Sequence, residues 1–369
     1  MIPFNPPKRL LMGPGPSDAH PRVLKAMSSP LIGHLDPEFV KTMDEVKSMA
    51  QKTLLTENHL TFVVSAPGSA GMETCLVNLL EPGDQCIIGI NGVFGGRMKE
   101  IAERCGAIVH TVEVEWGKII EPSQIKAALD QCNQPKLVAL VHAETSTGAC
   151  QPLKEISDLV HNAGSLLMVD AVTSYCGVPL KVDEWGIDAL YTGTQKCLSA
   201  PPGLSPVTFS DRAVKALENR KTKVQSWFLD LNLVKNYWAG AKRAYHHTAP
   251  VSSIFALREA ISIVLEEGLE NRWKRHKDVH LNLRSKLEEL GFQYLVEEKY
   301  RLPNLNSVIL PEGLQEAEIR KTLLNEYNIE VGGGLGAFAG KIWRIGIMGE
   351  SCTNNHVNSL IGALKELID

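Results

Sequence analysis

Lys196 stands in the segment Tyr191-Thr192-Gly193-Thr194-Gln195-Lys196, just ahead of Ala200-Pro201-Pro202-Gly203. Asp170, 26 residues earlier, closes the apolar run Leu166-Leu167-Met168-Val169. An acid ending one buried strand and a lysine following a later one suit pyridoxal phosphate chemistry. The amine bonds the cofactor's aldehyde carbon, and the carboxylate pairs with the pyridinium nitrogen and so makes the ring an electron sink. Freed from the cofactor, the same amine can shuttle a proton between the substrate Cα and the cofactor C4′ carbon. Each residue also has an ordinary reading: such aspartates commonly cap turns, and most lysines are solvated.

Other residues extend the set. Ser65-Ala66-Pro67-Gly68-Ser69-Ala70-Gly71 follows a strand and opens a helix, so its backbone N–H groups can meet an anion. A plain strand–helix turn capped by Ser69 accounts for the same residues. The segment is neither a Walker loop nor a dinucleotide fingerprint. Val141-His142-Ala143-Glu144-Thr145-Ser146-Thr147-Gly148 ends a strand with hydroxyls where open α/β sheets bind ligands. Phe94, after another strand, can stack on a flat ring or fill core. Arg344, inside the apolar strand Ile342–Met348, needs an anion: a substrate carboxylate or a structural salt bridge serves equally. His246 and His247, being adjacent, point apart on any regular element, which argues against a metal site.

The elements that must position these groups follow from apolar patterning. Residues 1–18, rich in proline and glycine, read as an extended arm. From 19 to 249 short apolar strands alternate with helices, the pattern of a mainly parallel sheet covered on both faces. The strands are Leu60–Val64, Gln85–Ile90, Leu137–His142, Leu166–Asp170, Ala189–Thr192 and Ser205–Phe209; helices are expected at Ala70–Leu80, Gly95–Cys105 and Leu153–Ala163. Residues 250–290 read as a long connector helix interrupted at Gly268, leading into a smaller C-terminal α/β unit within 250–369. There, strands near Asn306–Leu310 and Ile342–Ile347 flank a helix at Ala317–Tyr327 and a glycine turn at Gly332–Gly334, before a closing helix near 354–367.

Composition narrows the function further. The 369 residues are 44% hydrophobic and 22% charged, which allows a large α/β core, and the net charge of −4 gives no reason to expect nucleic acid or an anionic membrane. The basic cluster Arg220–Lys223 reads as a solvated helix end. The eight cysteines, with no C-x-x-C pair, suit reduced core residues, including Cys197 beside Lys196. No signal or transit pattern precedes Met12-Gly13-Pro14-Gly15-Pro16, and no run is long enough for a membrane span, so a cytoplasmic location is expected.

Together these segments resemble a known family along almost the whole chain: the alanine–glyoxylate (serine–pyruvate) aminotransferases, class V within the fold type I pyridoxal phosphate enzymes. The resemblance rests on Gly13-Pro14-Gly15-Pro16-Ser17, Gly33-His34-Leu35-Asp36-Pro37, Glu144-Thr145-Ser146-Thr147-Gly148, Val169-Asp170-Ala171-Val172, Gly193-Thr194-Gln195-Lys196, Tyr245-His246-His247-Thr248, Gly332–Gly336 and Trp343-Arg344-Ile345-Gly346, in that order. It implies that Lys196 is the catalytic lysine and Asp170 the pyridinium partner. Val172 and Phe94 would sandwich the ring, and Gly68, Ser69 and Gln195 would hold the phosphate. Thr145 would lie near cofactor and substrate, and Arg344 would anchor the substrate carboxylate. Tyr245 and Thr248 would reach the phosphate across a homodimer interface, and Gly33 would border the partner's substrate pocket. Some members carry Trp, Ser and His where this chain has Phe94, Thr145 and Ser69; each change keeps the physical role.

The activity so implied moves the amino group of a small L-amino acid, alanine or serine, to glyoxylate, giving glycine and a 2-oxo acid. Ureidoglycine and 3-hydroxykynurenine are alternative donors. A lyase of the cysteine desulfurase type resembles the chain less, because those enzymes place His before the lysine and Gln195 stands there. A cofactor-binding regulator would carry an added basic domain for which the chain has no room.

Overall fold

The computed structural model describes residues 4–238 and 243–368. Of the expected arm, residues 1–3 lie outside the described residues, as do 239–242 and Asp369. Seven strands form the main sheet: β1 Leu60–Val64, β2 Gln85–Ile90, β3 Ile108–Glu113, β4 Leu137–Val141, β5 Leu166–Asp170, β6 Ala189–Tyr191 and β7 Ser205–Phe209, in the spatial order β1-β7-β6-β5-β4-β2-β3. All pairings are parallel except the two made by β7, which runs against both β1 and β6. Every residue of β4, β5 and β6 is buried, as strands covered on both faces by helices must be. The strand order reverses between β2 and β4, so the loops leaving their carboxyl ends diverge and open a crevice there.

Two helices point their N-termini toward that crevice. Helix α1, Gly68–Leu79, follows β1 and lies close against the sheet: a Cβ on Gly71 would come within 2.1 Å of Ser205 Oγ. Helix α2, Val93–Arg104, follows β2; a Cβ on Gly95 would sit 2.5 Å from the Gly89 carbonyl. Gly71 lets the helix pack on the strand side chains of Ser205 and Tyr191, and Gly95 lets backbone approach backbone.

A second, smaller sheet pairs Gln293–Tyr294, Leu305–Ile309, Ile342–Gly346 and Gly332–Gly333. The glycine segment expected as a turn is therefore a short strand against Trp343 and Arg344, with Gly332 bare because a Cβ would strike Pro14 at 2.4 Å. The apolar side chains form two clusters, one around the main sheet and one around Trp343, Leu283 and Leu360. The connector splits where Gly268 adopts φ +80°, into α3, Val251–Glu267, and α4, Leu269–Glu289. Helix α3 lies with the first cluster through Ile254, Leu257 and Ile261, whereas the far half of α4 contributes Val279, Leu283 and Leu287 to the second. Among the described residues, no helix is long and apolar enough to cross a membrane.

Candidate active site

β5 ends at Asp170 in register with Tyr191, the last residue of β6. The Tyr191 hydroxyl donates to Asp170 Oδ2, and the Val172 N–H donates to Oδ1 at 2.8 Å. The carboxyl is only 2% exposed, and burial pushes its pKa up to about 7 against the pull of those donors. An acid held there becomes a firm anion once a cation meets it, which a protonated pyridine nitrogen would do.

Lys196 lies in the loop between β6 and β7, and contacts from three directions fix that loop. From the N-terminal arm, Ser17 donates through Oγ to the Lys196 carbonyl at 2.7 Å and through its N–H to the Gln195 carbonyl at 2.9 Å. Ser199, at φ +56°, accepts from the Glu350 N–H, in the turn Gly349–Ser351, at 2.8 Å. Arg272 of α4 donates to the Cys197 carbonyl at 2.5 Å. The Lys196 amine itself donates to the Pro14 carbonyl. Burial lowers its pKa to about 8, and the nearby positive charge of Arg344 adds to the effect, so the nucleophilic free amine is a minor species at pH 7 and becomes the major one above about 8.

Gly68, Ser69, Phe94, Thr145, Asp170, Val172, Gln195 and Lys196 line one pocket of about 160 Å³. At its floor is the start of α1, whose first N–H groups have no intrahelical partner. Gly68 lies close under Val172, where a Cβ would stand a tight 3.2 Å from Cγ2. The Gln195 side-chain oxygen is buried without a hydrogen-bond partner among the described residues, a costly state that a donor would relieve; toward a phosphate the amide would instead have to turn its NH2 group. A buried acid for a ring nitrogen, an apolar and an aromatic side chain for two ring faces, a helix start for a phosphate and a free amine for an aldehyde together fit pyridoxal phosphate.

Phe94 is presented by the first turn of α2. Gly92, its N-cap, has no side chain, and the Glu144–Ser146 segment caps the helix instead. Ser146 Oγ accepts from Val93 N–H at 3.0 Å, and Glu144 accepts from Phe94 N–H at 3.2 Å and from Ser146 Oγ at 2.6 Å. The Glu144 carboxyl is fully buried, and burial raises its pKa. Thr145, between the two capping residues, bonds Thr173 through their hydroxyls at 2.5 Å.

Arg344 reaches this end of the sheet from the strand Ile342–Gly346 of the smaller sheet. Its Nε donates to the Gly333 carbonyl at 2.8 Å and its Nη1 to the Thr145 carbonyl at 3.2 Å. Among the described residues no carboxylate stands within ion-pair distance of it, which removes the structural salt bridge as its reason for being there. The guanidinium is 7% exposed beside a residue that lines the pocket, with Nη2 uncommitted.

Gly33, Tyr245 and Thr248 do not line this pocket. Gly33 and Thr248 border a separate surface recess of about 370 Å³, and the Tyr245 ring lies 5.4 Å from that of His34 at its edge. Tyr245 is 63% exposed and Leu31, in the same recess, 71%. His246 and His247 do not diverge as expected. They lie on an irregular segment and share an Nδ1···Nδ1 contact of 2.8 Å, while His247 Nε2 meets Ser65 Oγ at 2.7 Å. The sequence reading missed Tyr191, Pro14 and the capping role of Glu144. Tyr191 was open to inference, since two adjacent parallel strands ending together bring their last residues side by side.

Comparison with known proteins agrees with this geometry. The family model described as Aminotransferase class-V matches residues 10–345. A rat protein named alanine–glyoxylate aminotransferase is 43% identical over 99% of this chain and 89% of its own. A Bacillus subtilis protein named (S)-ureidoglycine–glyoxylate transaminase is 37% identical over 98% of this chain and 91% of its own. The crystal structure of alanine–glyoxylate aminotransferase from Nostoc sp. superposes with a TM-score of 0.98 at 47% identity, covering 100% of this chain and 97% of that one. A match of this extent, on a fold that gathers a lysine, an acid and a helix start in one pocket, makes the chain a member of the class-V aminotransferases, a pyridoxal phosphate-dependent family.

Proposed function

We propose that the protein transfers the amino group of a small L-amino acid, alanine in the first instance and serine next, to glyoxylate, yielding glycine and a 2-oxo acid. The observation that carries this reading is that Lys196 and Asp170 share one pocket and Arg344 stands at its border, bonded to the carbonyl of the pocket residue Thr145. Glyoxylate as acceptor is supported by the names of both the rat and the Bacillus relatives, which differ only in the donor. Pyridoxal phosphate, when bound, supplies the electron sink that makes the substrate Cα–H acidic. Asp170 would hold the ring nitrogen protonated. Gly68, Ser69 and Gln195 would fix the phosphate, Phe94 and Val172 would confine the ring, and Thr145 would border the substrate. Lys196 Nζ would take the proton from Cα and deliver it to C4′. Burial pushes the Cys197 thiol up to about 12, so the cysteine beside the lysine stays protonated, which weighs against lyase chemistry through a thiolate.

The test is direct. Purified protein given L-alanine and glyoxylate should form pyruvate and glycine, with serine and ureidoglycine run in parallel; the absence of transfer from every donor overturns the reading. Arg344→Lys is expected to raise KM for the amino acid and for glyoxylate by about 10- to 100-fold. A lysine cannot bond two carbonyls and still offer a planar fork to a carboxylate. Steady-state kinetics with both substrates varied would check this, and unchanged KM values would remove Arg344 from the anchor role.

We further propose a homodimer with shared sites, in which Tyr245 of the partner subunit and Thr248 of the partner subunit complete the phosphate site. The exposure of Tyr245 and its separation from the Lys196 pocket support this. Lys196→Ala and a Tyr245→Ala/Thr248→Ala variant should each be nearly inactive, yet co-refolded mixtures should regain activity. Hybrids then contain one site with both an intact lysine and an intact partner edge. If each site were built within one chain, mixing would restore nothing. The chain is read as an arm (1–18), a large cofactor domain (19–249) and a connector with a small domain (250–369); the two apolar clusters support this, α3 rooting the connector in the first. The eight unbonded cysteines support a reducing, cytoplasmic setting.

A further inference from the structure

The groups expected to hold the cofactor phosphate (Gly68, Ser69, Gln195, Tyr245 and Thr248) are all neutral. A phosphate monoester carries a charge between about −1.5 and −2 near neutral pH. Helix dipoles and hydroxyls offer partial charges only. The ionised side chains lining the pocket are Asp170, Lys196 and Arg97. The lysine amine is committed to the aldehyde carbon and the aspartate to the ring nitrogen, which leaves Arg97.

Arg97 stands in the second turn of α2, three residues beyond Phe94. Its guanidinium carbon lies 5.0 Å from the centre of the Phe94 ring, and its Nη1 donates to Ser69 Oγ at 3.2 Å. The aromatic face steers the side chain toward α1. Glu73 and Glu100 line the adjoining groove with it, but Glu100 is paired with Arg104. Among the described residues no carboxylate is within ion-pair distance of Arg97. A guanidinium laid across the second residue of a helix start, bonded to its hydroxyl and left without an anion, is an incomplete charge pair.

We propose that Arg97 is the cation of the phosphate site, holding the cofactor's phosphate by a charge-assisted contact made together with Ser69. This rests on the pyridoxal phosphate reading of the pocket and deepens it, since it assigns the charge that the neutral set lacks. Arg97 in turn ties the phosphate to the stacking ring, because one side chain touches both Phe94 and Ser69. A direct guanidinium–phosphate bond is stronger and more directional than a hydroxyl contact alone.

The experiment measures equilibrium binding of pyridoxal phosphate and of pyridoxal, which lacks the phosphate, to the apo forms of wild type, Arg97→Gln and Arg97→Lys. Binding is followed by tryptophan fluorescence and by cofactor absorbance. Arg97→Gln is expected to weaken pyridoxal phosphate at least tenfold, about 1.4 kcal/mol, while leaving pyridoxal unchanged. Arg97→Lys should recover part of the loss. Inorganic phosphate should compete with the cofactor less well in the Gln variant, and wild-type affinity should fall more steeply with added salt. Equal weakening of both ligands, or none of either, overturns the assignment of Arg97 while leaving the family reading intact. A wild-type protein that binds neither ligand would sink that reading and the Arg97 role with it.

Discussion

Lys196→Ala is expected to lower transamination by roughly 10,000-fold or more, since it removes both the covalent attachment and the proton carrier. The fold should survive. The loop is fixed through the main chain of Gln195, Lys196 and Cys197, by Ser17 and Arg272, and the substitution leaves those bonds in place. The visible absorbance of lysine-bound cofactor should vanish, and the cofactor should leave on dialysis. An absorbance that persists would show that a different amine carries it. In the wild type, the rate at which apoprotein captures pyridoxal phosphate should rise with pH through about 8, because only the neutral amine attacks an aldehyde and burial has brought its pKa down to that value. A rate flat across this range would mean that some other step limits capture.

Asp170→Asn should act in opposite directions on activity and on apoprotein stability. Loss of the charge facing the ring nitrogen is expected to cost between roughly 100- and 10,000-fold in kcat, the range for breaking a buried ion pair. The amide still fits its site. Its oxygen accepts from Val172 N–H and its nitrogen can donate to the Tyr191 hydroxyl. The folded pKa of the acid, about 7, lies above its ordinary value of 3.8. Its contribution to stability is therefore complete below the unfolded value and lost as pH rises through about 7. Near pH 8 the wild-type apoprotein bears a buried, unmatched carboxylate, and the variant does not. The variant should melt higher there, by an increment on the order of a few kcal/mol, and the gain should fade toward pH 4. Thermal unfolding of both apoproteins across this interval checks the sign; identical curves would show that Asp170 carries no such burden.

The chemistry was more legible in the sequence than the way its parts are joined. β1, β2, β5 and β7 coincide with apolar runs because nearly all of their residues are buried, at the sheet edge in β1 as much as in the middle in β5, and burial leaves little room for polar side chains. β3 escaped notice for the converse reason. It is an edge strand, with Ile108 52% exposed and polar residues interspersed, so its composition resembles a loop. The antiparallel course of β7 leaves no mark on its own residues and follows only from where its partners lie. Within the site, Lys196 and Asp170 stand out by type, since charged groups rarely close buried strands. Arg97 does not, because an arginine on an exposed helix face has the same local pattern whether or not its end meets a ligand. The second set, Gly33, Tyr245 and Thr248, is visible as a motif but has no local reason to belong to the pocket.

The N-terminal arm touches both the smaller sheet and the Lys196 loop. Leu10–Leu11 pairs with Ile329–Glu330, and the Met12 carbonyl accepts from Gly346 N–H at 2.7 Å, two residues along the strand that bears Arg344. Five residues on, Ser17 grips the Lys196 carbonyl, and between them lie Pro14 and Pro16. A short stretch of covalent chain stiffened by proline thus joins the strand that bears Arg344 to the loop that bears Lys196. A shift of the smaller sheet would therefore be carried through the main chain of the arm to the backbone of Lys196.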